Sequence, residues 1–157
     1  MVQQLENVKK LFDYLEEKTG GSPSEKSPKE GESFRFEWIT RDDFYELFLM
    51  GDCLYLCGLT EKNAKRDQHK LLELLNWLNG WSHYGTFTFF FRDPKKISLE
   101  QTHFAYSDYK FEELFSFYDQ LMKRMTIYYL SSDMVFEEDI PFEEAVDKAM
   151  LQMARRG

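Results

Sequence analysis

The sequence predicts an α+β fold: an antiparallel sheet of about five strands, with helices packed on it, in the order α-β-β-β-α-β-β-α-α. Two observations support this class. Apolar residues recur at period two in several short runs, and tight polar turns join the first three runs. Runs at helical spacing interrupt the strands without the strict alternation of a parallel doubly wound sheet. A length of 157 residues suits one domain over positions 1–157.

The first element is predicted to be a helix, because Leu5, Val8, Leu11, Phe12 and Leu15 form one apolar stripe. The glycine pair at 20–21 is expected to end it. Residues 20–31 contain two prolines and no large apolar side chain. We therefore expect a mobile loop there, within the same domain.

Three strands are predicted next, as an antiparallel meander. Phe34, Phe36 and Trp38 alternate with charged residues, and a polar turn at 41–43 leads into a strand at 44–50. The dipeptide at 51–52 is typical of a two-residue hairpin turn. The third strand is predicted at 53–57, closed by Gly58.

The remaining predicted elements are one helix, two strands and two further helices. A helix is predicted from an N-cap at Asn63 to Gly80, followed by strands at 84–91 and 97–106. A long aromatic helix is expected at 111–130, after caps at 107–108. A short connector then leads to an added C-terminal helix at 141–154, with Pro141 in its first turn.

Composition and charge exclude several classes of function. Twenty basic and 28 acidic residues give a net charge of −8, which disfavours binding to nucleic acid or to an anionic membrane. No apolar run is long enough to span a bilayer, and the N-terminus lacks a signal-peptide core. Two cysteines do not make a disulfide framework, so a cytoplasmic location is expected.

No catalytic, metal or cofactor site is predicted. Cys53 and Cys57 would lie about 13 Å apart along a strand, too far for a disulfide or a shared metal. Asp42 and Asp43 are interpreted as turn residues. His83 and His103 are interpreted as packed side chains, although either could act as a general base in an aromatic pocket. A partner for His103 would be Asp108 or Glu100. Phosphate-binding glycine motifs do not occur.

The strongest charged feature lies near the C-terminus. Between residues 131 and 147 there are seven acidic residues and no basic one. Some of these carboxylates suit a helix N-terminus, and a solvated face is the simplest explanation. Alternatively, the segment binds a partner, together with methionines that adapt to irregular surfaces. The predicted partner-binding residues are Glu137, Glu138, Asp139, Glu143, Glu144, Met150 and Met153.

The chain resembles the YbjN-type family, which shares the type III secretion chaperone-like fold. The resemblance covers about residues 2–131 and rests on the order of elements. Its local points are Leu75-Asn76 and Leu78-Asn79 at the end of the middle helix, the strand led by Gly85, and the aromatic helix at 111–130. The resemblance implies a non-enzymatic domain that binds another protein, often as a homodimer. The loop at 20–31 and the final helix depart from the chaperone pattern.

Three hypotheses for function follow. The first is a chaperone-like or regulatory module that docks a partner protein on aromatic surface, since aromatic residues make up 17% of the chain. The second is an acidic immunity or inhibitor protein, which would mask a basic site on a partner such as a nuclease. The third is an enzyme or small-ligand domain that uses His83 or His103.

Overall fold

The computed structural model describes residues 2–23, 34–80, 85–104 and 110–156. Within these ranges the helices are α1 (Val2–Thr19), α2 (Gln68–Gly80), α3 (Phe111–Glu137) and α4 (Phe142–Arg156). The strands are β1 (Ser22–Pro23), β2 (Phe34–Thr40), β3 (Asp43–Met50), β4 (Cys53–Thr60), β5 (Thr86–Phe89) and β6 (Ile97–Phe104).

The strands form one antiparallel sheet in the order β1-β2-β3-β4-β6-β5. Five of them are the predicted strands, and the α+β class and the element order are confirmed. The additional strand β1 has two residues, which pair with Glu37 and Phe36 of β2. It begins inside the segment predicted to be a loop at 20–31. Residues 24–31 of that loop lie outside the described residues.

Two tight turns set the register of the central strands. Arg41 and Asp42 both have positive φ, at 56° and 66°, which is the backbone of a two-residue hairpin turn. Gly51, with φ of 57°, closes the second hairpin. As a result Phe44 faces Leu59 across the β3–β4 ladder, and Phe48 faces Tyr55.

The hydrophobic core lies on one face of the sheet, beneath the helices. Along β3 the side chains at 43, 45, 47 and 49 are buried, while those between them are not. Tyr45 stacks on Trp38 of β2 at 5.3 Å between ring centroids. Leu11, Phe12 and Leu15 of α1 belong to the same core, as predicted for the apolar face of this helix, and the side chains of Leu5 and Val8 lie outside the described residues.

The prediction that the third strand ends before Gly58 is wrong, because β4 continues to Thr60. Gly58 faces the core opposite Tyr45. A Cβ at this position would lie 2.8 Å from the Tyr45 ring and 2.9 Å from the Met125 side chain of α3. Gly58 is therefore needed for the close approach of α3 to the sheet, and it does not mark a strand end.

The start of α2 also differs from the prediction. Asn63 does not cap α2, which begins five residues later behind Asp67. The Asp67 side chain accepts hydrogen bonds from the backbone N–H groups of residues 69 and 70. The Asn63 amide instead donates to Ser132 and Asp133 of α3, at 2.8 and 3.0 Å. The N-cap of α3 is Lys110, whose backbone N–H donates to the Glu113 side chain at 3.3 Å, so the prediction of caps at 107–108, which lie outside the described residues, is wrong.

Helix α3 runs seven residues beyond its predicted end and replaces most of the predicted connector. Ser131 and Ser132 lie within it, and their hydroxyls donate to backbone carbonyls three and four residues earlier. Helix α4 then packs back on the same domain, where Phe142 meets Trp77 of α2 edge to face. None of the helices in the described ranges is long and apolar enough to cross a membrane.

Candidate binding surfaces

The second face of the sheet carries no helix from the described part of the chain. We call it the open face. Its positions alternate with the core positions along every strand, since successive side chains of a strand point to opposite faces. The open face is formed by Arg35, Glu37, Ile39, Phe44, Glu46, Phe48, Met50, Cys53, Tyr55, Cys57, Leu59, Thr86, Thr88, Ser98, Glu100 and Thr102.

Apolar side chains occupy the middle of the open face. Ile39 is 70% exposed, and the other four residues of this aromatic patch are partly exposed: Phe44, Phe48, Tyr55 and Leu59. None of the five belongs to the buried core or to the partly buried apolar residues packed against it. The two flanking strands β5 and β6 instead carry threonine, serine and glutamate on this face.

A row of carboxylates crosses the aromatic patch. Glu37, Glu46, Cys57 and Glu100 are successive partners across β2, β3, β4 and β6. Arg35 forms ion pairs with Glu46, at 3.1 Å, and with Glu37, at 3.9 Å. We call Glu46, Cys57 and Glu100 the acidic row.

The acidic row lies in a partly dehydrated environment. Burial raises the pKa of Glu46 above its ordinary value, although Arg35 opposes the shift. Burial also raises the pKa of the Cys57 thiol to about 12, and the carboxylates of Glu100 and Glu46 add to the shift. The thiol is therefore protonated at neutral pH, and Cys57 is a poor nucleophile.

Three carboxylates of the predicted acidic surface face a set of basic residues from the loop before α2 and from α2 itself. Lys62 pairs with Asp133 at 3.1 Å, Arg66 pairs with Glu137, and Lys70 pairs with Asp139 at 3.6 Å. The acidic run in the sequence is thus partly neutralised by residues about 70 positions earlier. These ion pairs tie the end of α3 to the start of α2.

The remaining predicted partner-binding residues divide between two places. Glu138, Glu143 and Glu144 are exposed at the α3–α4 corner, and Glu144 pairs with Lys148 one turn later. Met150 and Met153 line a separate groove of about 220 Å³ between α3 and α4. The structure therefore does not bring the methionines and the acidic residues into one surface.

The histidines do not form a catalytic arrangement in the described residues. His103 faces the core side, where its ring stacks on Phe117 of α3 at 3.7 Å. Burial lowers the pKa of His103, so the neutral imidazole is favoured. Glu100, one of its two suggested partners, points to the open face. The other partner, Asp108, and the second histidine, His83, lie outside the described residues.

A buried polar network was missed in the sequence. Asp43, which the sequence predicts to be a turn residue, is the first residue of β3 and only 3% exposed. The hydroxyl of Tyr129 in α3 donates to its carboxylate at 2.5 Å, and Thr60 donates to that hydroxyl at 3.3 Å. Burial raises the pKa of Asp43 and raises that of Tyr129 to about 12. Asp43 falls in the core-facing register of β3, which is the signal that identifies it.

Cys53 and Cys57 are both free and lie on the open face of β4. Among the residues that the structure describes, no three histidine, cysteine or acidic side chains are placed to hold a metal ion.

No protein-family model matches the chain, and neither a curated protein nor a solved structure is significantly similar to it.

Proposed function

We propose that this chain is a non-enzymatic protein-binding module that docks a segment of a partner protein on the aromatic patch. One observation carries the proposal. An antiparallel sheet with one free face normally presents polar side chains there, yet the two central strands present Phe44, Phe48, Tyr55 and Leu59. Contiguous exposed apolar surface of this kind is typical of an interaction site.

The patch is well suited to binding because the sheet hydrogen bonds fix the backbone that carries it. Its rings stand on neighbouring strands that two tight turns hold in register. Phe48 also lies under the Arg35 guanidinium, 5.4 Å from the ring centroid. Aromatic side chains held in this way lose little conformational entropy when a partner binds.

The resemblance to the secretion chaperone-like fold supports the same proposal. Proteins of that fold hold partner segments against apolar surface, and the aromatic patch would serve that purpose here. A chaperone-like or regulatory role and a cytoplasmic location are therefore part of the proposal.

The structure gives less support to the acidic immunity hypothesis than to docking on the aromatic patch. A surface that masks a basic site needs carboxylates free to meet partner cations. Asp133, Glu137 and Asp139 already meet Lys62, Arg66 and Lys70 within the chain.

A tagged pull-down from the native host at native expression tests the proposal. The informative variant is Phe48→Ser. Its control is Leu72→Ser, which changes an apolar residue 45% exposed on α2. We expect one stoichiometric partner that Leu72→Ser retains and Phe48→Ser loses, with both variants folded by circular dichroism. A partner that Phe48→Ser retains, and that neutralisation of Glu138, Glu143 and Glu144 releases, would overturn the proposal in favour of the acidic surface.

A further inference from the structure

We propose that the docked segment carries a lysine or arginine between apolar residues, and that this cation sits over Cys57 between Glu46 and Glu100. The inference rests on the proposed function and specifies the chemistry of the partner. It follows from three features of the open face: the spacing of the acidic row, its charge balance, and the apolar residues on either side.

The spacing allows one cation to meet both carboxylates. Glu46 and Glu100 are the cross-strand partners of Cys57 on its two sides. Neighbouring strands lie about 4.8 Å apart, so the backbones at Glu46 and Glu100 are separated by about 10 Å. Both side chains rise from the same face, with the small thiol between them. An ammonium or guanidinium group above Cys57 is therefore within reach of both.

The carboxylates of the acidic row outnumber the basic residues that pair with them on the open face. Arg35, at the edge of the patch, forms ion pairs with Glu46 and Glu37. Glu100 forms no ion pair with any residue that the structure describes. Carboxylates among apolar rings are costly to dehydrate further unless the arriving surface supplies positive charge.

Apolar residues flank the acidic row on both sides. Phe44 and Leu59 lie two positions along the strands in one direction, and Phe48 and Tyr55 lie two positions in the other. Two residues of a strand span about 7 Å. A complementary segment thus has an apolar residue about 7 Å before and after its cation. In an extended segment, residues two positions apart have this spacing, and in a helix residues about four positions apart have it.

A second copy of this chain does not match this surface. A twofold contact centred on the acidic row would place the row of one copy against that of the other. Like charges opposed in a dry interface repel each other and destabilise the contact. The charge therefore favours a different, basic partner segment.

Selection from a phage-displayed library of random peptides on the immobilised full chain tests this inference. The variants to compare are the Glu46→Gln, Glu100→Gln double variant and a control with the same charge change away from the open face, Glu138→Gln, Glu143→Gln. We expect the wild type and the control to enrich peptides with Lys or Arg flanked by apolar residues. A synthetic peptide of the consensus should bind the open-face double variant at least about tenfold more weakly than the control.

The other outcomes separate this inference from the proposed function. Enriched apolar peptides without a cation, which Phe48→Ser fails to bind, would overturn the inference and leave the docking surface in place. Peptides that Phe48→Ser binds equally well, or no enrichment, would overturn both. A homodimer in sedimentation that Phe48→Ser dissociates would identify a second copy as the occupant and would also overturn the inference.

Discussion

Truncation of two adjacent residues of β3, Leu47 and Phe48, tests whether one face of the sheet is exposed. Leu47 is 1% exposed in the core, whereas Phe48 is partly exposed and lies outside the core. Truncation of a buried leucine to alanine costs about 2–5 kcal/mol, and truncation of a buried phenylalanine about 3–5 kcal/mol. Phe48→Ala removes a partly exposed ring that faces Tyr55 across the ladder and contacts the Arg35 guanidinium. We therefore expect Phe48→Ala to cost about 1–1.5 kcal/mol, much less than Leu47→Ala despite the larger side chain.

Urea denaturation followed by tryptophan fluorescence and by circular dichroism measures both values. The two probes should agree, and the slopes should match the wild type, so that the midpoints report stability alone. A loss for Phe48→Ala of about 3 kcal/mol or more would show that its ring is buried in the native protein. That result would refute the open face and the function proposed for it.

Three further predictions concern the packing of α3 against the sheet. Gly58→Ala should lower the free energy of unfolding by about 1–3 kcal/mol, because the new methyl group overlaps the Tyr45 ring; an unchanged urea midpoint would contradict this. Tyr129→Phe should cost about 1.5–3 kcal/mol in the same assay, because it removes a hydrogen bond to a buried carboxylate; a neutral result would show that water replaces the phenol. Asp43 has a raised pKa in the folded state, so its contribution to stability is complete below its unfolded pKa and is lost as pH rises through the folded value. Asp43→Asn should remove that part of the pH dependence, which begins as pH rises above the ordinary aspartate pKa of about 4, and a variant with the wild-type slope would refute the assignment.

Much of the fold could be predicted from the sequence because local signals agree with the tertiary structure. The alternation around Phe36 and Trp38, the turn at Gly51 and the stripe of leucines in α2 each specify one element and one buried face. The boundary errors have a common cause. Gly58 and Asn63 resemble a strand end and a helix cap locally, but each serves a contact with α3 about 70 positions away.

The candidate site was harder to predict because it depends on which side of the sheet the helices cover. β3 and β4 are apolar on both faces, so periodicity alone does not reveal which face is buried. The acidic run near the C-terminus looks like an unpaired charged surface when the sequence is read alone. Its partners Lys62, Arg66 and Lys70 are distant in the chain, and only the fold brings them together.

Site-specific photo-crosslinking in the native host tests the central claim most directly. A photoreactive benzoylphenylalanine replaces Phe48 in one variant and the exposed Leu72 in another, and the crosslinked species are identified by mass spectrometry. We expect one protein partner to be captured covalently from position 48 and none from position 72. Capture from position 72 or from Met150 of the α3–α4 groove, with none from position 48, would contradict it.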